Sequence, residues 1–195
     1  MTISADGYSL PRFIILQKLK KLPPELGDLV GRAHFSTSKN GWIAKKLFYV
    51  WCVYFVNMVS KYRVEVLPPH LRNIEMVLFV DSHNNRLCSE ALTFLEINKI
   101  RLITLLAHSS HLTQLFDKNI ASPFKNALAQ YFSLRDTKYL ELDNNGVSYM
   151  RRLLIFSVID AWQVATCRSS VMKAFRDTGI FPFLGIRDFR SAGKS

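Results

Sequence analysis

Met76-Val77-Leu78-Phe79-Val80 is an unbroken apolar run of strand length that ends on a carboxylate, Asp81. This run constrains the fold more than any other stretch, because five consecutive apolar residues suit a strand buried on both faces. Polar Ser82-His83-Asn84-Asn85-Arg86 breaks it. Ser89 then opens a helical pattern through Leu92, Leu95 and Glu96 to about Asn98, and its hydroxyl is placed to cap the helix start. Ile100 to Leu106 is rich in β-branched and apolar residues and reads as a second strand. Strand, helix and strand in this order predict a right-handed parallel unit. Sites in open α/β sheets form at the carboxyl ends of such strands, where Asp81 falls. The polar segment Ala107 to Asp117, with His108 and His111, leads into a further helix, so that Asp117 folds back towards Asp81.

Composition bounds what this unit is for. The chain has 195 residues, of which 49% are hydrophobic, enough for one sizeable core, and its length argues for one domain. Lys and Arg number 26 against 15 Asp and Glu, and the resulting net charge of +11 points to a polyanionic partner. A generic basic surface is the plainer alternative. Cys52, Cys88 and Cys167 are odd in number and lack metal-ligand spacing, so they read as reduced core residues of an intracellular protein. Met1 to Leu10 has neither the basic start nor the apolar stretch of a secretory signal.

Around the central unit, Ile3 to Leu16 reads as two strands about an Asp6-Gly7 turn. Lys18, Lys20 and Lys21 precede a loop at Leu22 to Leu26 and read as a solvated charge run, with phosphate contact the alternative. After Asn40-Gly41-Trp42 comes the most apolar helix, with Leu47, Val50, Trp51, Tyr54, Phe55 and Met58 at helical spacing. Its apolar run from Leu47 to Val59, about 13 residues, is too short to span a bilayer. Pro68-Pro69-His70 makes a loop, and Ala121 to Phe132 a helix in which Pro123 is tolerated near the start. Asp143 to Gly146 is a turn, Met150 to Ala165 a helix carrying Arg151, Arg152 and Trp162, and residues 186–195 a disordered tail. Gly193-Lys194-Ser195 is no phosphate loop, because the earlier glycine is missing and no helix follows.

Read together, VDSHNNR from Val80, LLAHSSHLTQLFD from Leu105 and ASPFK from Ala121 resemble the ordered motifs of the DDE superfamily endonuclease domain of pogo/Tigger-type transposases, to which centromere protein B-like proteins are related. The resemblance extends to ISADGYSLPRFII, LPPEL, NGWI and the closing AFRDTGIFPF, and covers Ile3 to Phe183. It implies an α/β fold, a ribonuclease H-like mixed sheet flanked by helices, over residues 1–185. It also implies phosphodiester cleavage and strand transfer on DNA in the nucleus with Mg2+ or Mn2+, and neither a membrane nor a small-molecule substrate.

On this resemblance Asp81 and Asp117 are the catalytic residues and metal ligands. Hard cations take carboxylate oxygens, and two ions about 3.5 to 4 Å apart activate the attacking hydroxyl and stabilise the leaving oxygen. The family's third Asp lies on a first strand that precedes ISADG, so the expectation is a domain without that strand, inactive as given. Asp6 is no substitute, since it belongs to a turn. Further departures are Leu106 and Ala107 in place of prolines, Gln114-Leu115-Phe116-Asp117 in place of Gln-Pro-Leu-Asp, and Arg86 in place of a second His. His83, His108, His111 and Lys125 are candidate nucleic-acid contacts. For His83, beside Asp81, a local hydrogen-bonding role is preferred over a general-base role, and for His108 and His111 a phosphate or carboxylate contact is preferred over a zinc pair. The alternative function is a non-catalytic DNA-binding or protein-interaction module domesticated from a transposase.

Overall fold

A computed structural model describes residues 2–80, 87–105, 117–139 and 146–182. They form a mixed α/β structure divided into two compact units, each continuous in space but not in sequence. One comprises Met1–Arg12, Pro23–His34 and Ser110–Ser195, the other Phe13–Leu22 and Phe35–Ser109.

The second unit carries most of the strand residues. β1 (Arg12–Gln17) pairs with β2 (Ala33–Ser38), and β3 (Met76–Val80) with β4 (Ile100–Thr104). Between the pairs runs α1 (Lys45–Glu65), and α2 (Ser89–Ile97) connects β3 to β4. The α1 stripe of Phe48, Cys52, Phe55, Val56, Val59 and Tyr62 is buried, as expected of an amphipathic helix packed along one side. Its aromatic residues stack in series, Phe48 on Trp51 at 5.5 Å and Trp51 on Phe55 at 5.0 Å between ring centroids. Tyr49 meets Phe94 of α2 edge-on at 5.8 Å.

β3 has the predicted bounds, and its parallel register with β4 runs from Met76 opposite Ile100 to Val80 opposite Thr104. The expected burial on both faces is wrong. Leu78 and Ile100 are buried, whereas Val77, Phe79, Arg101 and Ile103 on the other face are exposed. Two paired strands with helices against one face leave the other to solvent, and an all-apolar run conceals that alternation. The β4 strand also ends two residues short of Leu106, at Thr104. Ser89 does not cap α2: Cys88 occupies the N-cap position, without a side-chain cap, and the Ser89 hydroxyl lies 3.3 Å from Glu90 Oε2.

The first unit is built on helices. A π-helical turn (Asp117–Ala121) leads directly into α3 (Ser122–Tyr139), followed by α4 (Gly146–Ala165) and α5 (Arg168–Asp177). Ile120, Trp162, Val171 and Ala174 form its buried cluster, with Ile3, Phe124 and Phe175 packed around them. The expected strands about Asp6-Gly7 reduce to one antiparallel bridge, Ile3 to Ser9, because β1 begins only at Arg12 and pairs with β2. The turn itself is as read: Gly7 has φ +89, and a Cβ there would strike Arg168, so only glycine fits. Where a loop was expected at Leu22 to Leu26, Pro24–Leu29 is a short 3-10 helix, which Asp28 ties to α4 through both terminal guanidinium nitrogens of Arg152 at 3.0 and 2.6 Å. Pro69–Leu71 likewise forms a single 3-10 turn in the second unit. The three cysteines are free; Cys52 is buried as expected, but Cys88 is half-buried and Cys167 exposed. The expected tail lies outside the described residues.

Candidate metal and nucleic-acid site

The strand that leads to Asp81 is held to its final residue, since Leu105 N–H donates to the Val80 carbonyl at 2.8 Å. At the opposite end, Met76 N–H donates to the Lys99 carbonyl at 2.9 Å, so β3 is fixed at both ends to the β4 side of the unit. Arg63, in the last turn of α1, gathers the same corner: its guanidinium donates to the carbonyls of Asn98 at 3.0 Å, Lys99 at 3.1 Å and Ile74 at 3.2 Å. Asp81 follows this strand as the next residue, itself outside the described residues.

Asp117 is the first residue of the π-helical turn, and its backbone is described while its side chain is not. Two neighbours anchor that turn. Ile120 is fully buried, and Asn119 Nδ2 donates to Asp177 Oδ2 of α5 at 3.2 Å. Asp177 also receives Lys173, one helical turn earlier. Lys125 is exposed on α3, as a phosphate contact requires. His83, His108 and His111 lie outside the described residues, as does the expected approach of the Asp81 and Asp117 carboxylates. Asp6 holds the turn assigned to it, receiving the Tyr8 N–H at 3.2 Å and the Ser4 hydroxyl.

Among the described residues no group of three or more His, Cys, Asp or Glu is placed to hold a metal ion. The donors named from sequence, two carboxylates, are hard oxygen ligands of the class that Mg2+ and Mn2+ take, so their chemistry fits the expected ions.

Three features escaped the sequence reading. The exposed β3–β4 face was hidden by uniform apolarity. Arg63 carried no signal of its three carbonyl partners. Cys167 is exposed at the start of α5, and hydrogen bonds from the Ser169 and Ser170 hydroxyls and from backbone N–H groups lower its thiol pKa to about 7. Serines after a cysteine at a helix start are the signal that was available.

The sequence model described as DDE superfamily endonuclease matches residues 2–175. The chain belongs to the DDE superfamily of endonucleases. For this DDE endonuclease domain, a curated relative is the MFS-type transporter clz9 of Cochliobolus lunatus, 21% identical over 181 residues. That match covers 92% of this chain and 18% of the relative, so the DDE domain spans under a fifth of that protein's length. No solved structure matches the chain. Among the described residues, no helix is long and apolar enough to cross a membrane.

Proposed function

We propose that this domain is of pogo/Tigger transposase descent, folds on a ribonuclease H-like plan, and acts on DNA in the nucleus. The observation that carries this reading is the family match over residues 2–175, laid on a parallel β3–β4 pair whose first strand ends one residue before Asp81 in the sequence. Asp81 and Asp117 are the residues that would hold Mg2+ or Mn2+, and the ion would supply charge neutralisation at a DNA phosphate. The chain's own contribution is the β3–β4 ladder up to Val80, the residue before Asp81 in the sequence, and the buried Ile120 that anchors the turn beginning with Asp117. The surplus of basic residues, Lys125 among them, binds the phosphate backbone. The transport function in the relative's name is not carried over to this chain.

Two carboxylates give fewer bridging oxygens than a two-ion site needs, so these 195 residues alone are expected to bind DNA without cutting it. The experiment is a nuclease assay of the purified chain in Mg2+ and in Mn2+, beside Asp81→Ala and Asp117→Ala. No cleavage by any of the three, with DNA bound by all, is the expected result. Cleavage by the parent that both substitutions abolish would show that a third ligand is present and refute the inactivity.

A further inference from the structure

The exposed side of the β3–β4 pair is an apolar surface with one cation set in it. Its two cross-strand rows are Val77 beside Arg101 and Phe79 beside Ile103. Val77 is 50% exposed, Phe79 39% and Ile103 40%. Residues on the reverse side of the same strands, Leu78 and Ile100, are at 8% and 2%, so the contrast follows the strand period of two. Arg101 is the one charged side chain in the four, and its partner Glu75 sits just before β3, with both Nε and Nη2 3.1 Å from Glu75 Oε1. The Arg101 and Glu75 side chains are 66% and 53% exposed, so the pair contributes little and yields readily to a competing anion.

An occupant of this face must therefore offer flat or apolar surface to Phe79, Val77 and Ile103 and an anion to Arg101. A second copy of the chain does not: it would bring Arg101 onto the apolar patch of another molecule, and one net charge of +11 against another. Single-stranded nucleic acid offers both, as a base face stacks on an aromatic ring while the phosphate beside it meets a guanidinium. The position suits that occupant, because Phe79, on β3, is two residues before Asp81 in the sequence.

We propose that this face binds the unpaired bases of single-stranded DNA, with Phe79 as the stacking ring, Val77 and Ile103 as its apolar flanks and Arg101 on the phosphate. The proposal rests on DNA being the partner of the domain, and adds that the strand held beside Asp81 is unpaired.

The test is fluorescence anisotropy of the full chain with labelled oligothymidylate, its abasic counterpart and a duplex of equal length, in EDTA so that no metal contributes. Phe79→Ala is expected to weaken oligothymidylate binding about 5- to 100-fold, the range of one lost base stack, and to leave duplex binding unchanged. Phe79→Tyr should bind as the parent does, Phe79→Leu as Phe79→Ala, and the abasic strand weakly to all. Circular dichroism on each variant checks that the fold survives, and Phe79→Tyr and Phe79→Leu keep the test informative should Phe79→Ala not fold. Equal binding by Phe79→Leu and the parent would overturn stacking, as would a concentration-dependent dimer in sedimentation that Phe79→Leu abolishes. Duplex binding with no preference for the single strand would overturn this inference alone. No binding to any DNA would overturn it together with the DNA reading of the domain.

Discussion

Met76 at the start of β3 donates its N–H to the carbonyl of Lys99, the residue just before β4, and Lys99 adopts the left-handed conformation with φ +57. That conformation ends α2: Lys99 N–H reaches back to Glu96 and Asn98 N–H to Leu95, which satisfies carbonyls that the helix leaves open. One strained residue thus closes a helix and sets the starting register of the strand pair that leads to Asp81. A left-handed non-glycine residue costs about 1 to 2 kcal/mol. Lys99→Gly is therefore expected to stabilise the chain by up to about 1 kcal/mol, reduced by glycine's larger unfolded-state entropy and by loss of the exposed Lys99 Nζ bond to Asn73. Urea denaturation compares the two, and Lys99→Ala should show no such gain.

Arg63 supports the same corner from α1. Burial lowers its pKa from the ordinary guanidinium value, yet it stays charged at any ordinary pH. Arg63→Ala removes the donor to three carbonyls at once and is expected to cost about 1 to 3 kcal/mol, the lower part of that range where water replaces it. Arg63→Lys should recover less than half, since an ammonium lacks the planar fork that spans three carbonyls. Thermal melts order the three proteins, and a lysine variant as stable as the parent would show that charge alone suffices.

The thiols give a prediction in pH. Burial pushes Cys52 up to about 12, with the nearby Cys88 adding to it, while Cys167 is brought down to about 7 by its serine and backbone donors. Since the thiolate is the reactive form, iodoacetamide labelling of Cys167 should rise as pH increases through about 7 and level off above it. Cys52 should stay unlabelled in the folded chain at pH 8. Mass spectrometry of the labelled peptides reads both, and Ser170→Ala should move the Cys167 midpoint upward.

How much of this was legible beforehand differs by residue. Met76–Val80 was readable in full, because five apolar residues between polar stretches leave little choice of element. Its orientation was not readable, because Val77 and Phe79 are as apolar as Leu78 and only the neighbours of a strand decide which face is covered. Ser89 was preferred as a cap on intrinsic grounds, and the helix begins one residue earlier because the extended turn of backbone falls on Cys88. For the site, the end of β3 at Val80, one residue before Asp81 in the sequence, follows from the apolar run, while Asp81 itself lies outside the described residues. The anchoring of Asp117 depends on Ile120, Trp162 and Val171, which lie far apart in sequence and share no local pattern.

DNA binding should show the signature of phosphate neutralisation. With a net charge of +11, affinity for a duplex should fall linearly on logarithmic axes as salt rises, because each phosphate contact releases a counterion. Anisotropy at two salt concentrations measures the slope. Lys125→Ala should reduce that slope by about 1 without altering sequence preference, and binding that ignores salt would refute a phosphate-based interface.

Ile120 is where stability and the proposed chemistry meet. It is fully buried three residues after Asp117, in the cluster with Trp162, Val171 and Ala174, and Phe124 one turn later meets the Trp162 ring edge-on at 5.8 Å. Trp162 is held in turn by its Nε1–H, which donates to the Ser9 hydroxyl at 2.9 Å. Truncating Ile120 therefore loosens the turn that carries Asp117 as well as the core. Ile120→Ala is expected to cost about 2 to 5 kcal/mol and Ile120→Val about 0.5 to 1.5, by lost burial plus the cavity left behind. Urea denaturation followed by tryptophan fluorescence reads this, as Trp162 is 2% exposed and must gain solvent on unfolding. The functional half is read on the folded Ile120→Val protein by titrating Mn2+ in calorimetry beside Asp117→Ala. Weaker Mn2+ binding by Ile120→Val, with no Mn2+ binding by Asp117→Ala, is the outcome that ties the buried side chain to the carboxylate. Parent-like Mn2+ affinity in both variants would remove Asp117 from the metal site.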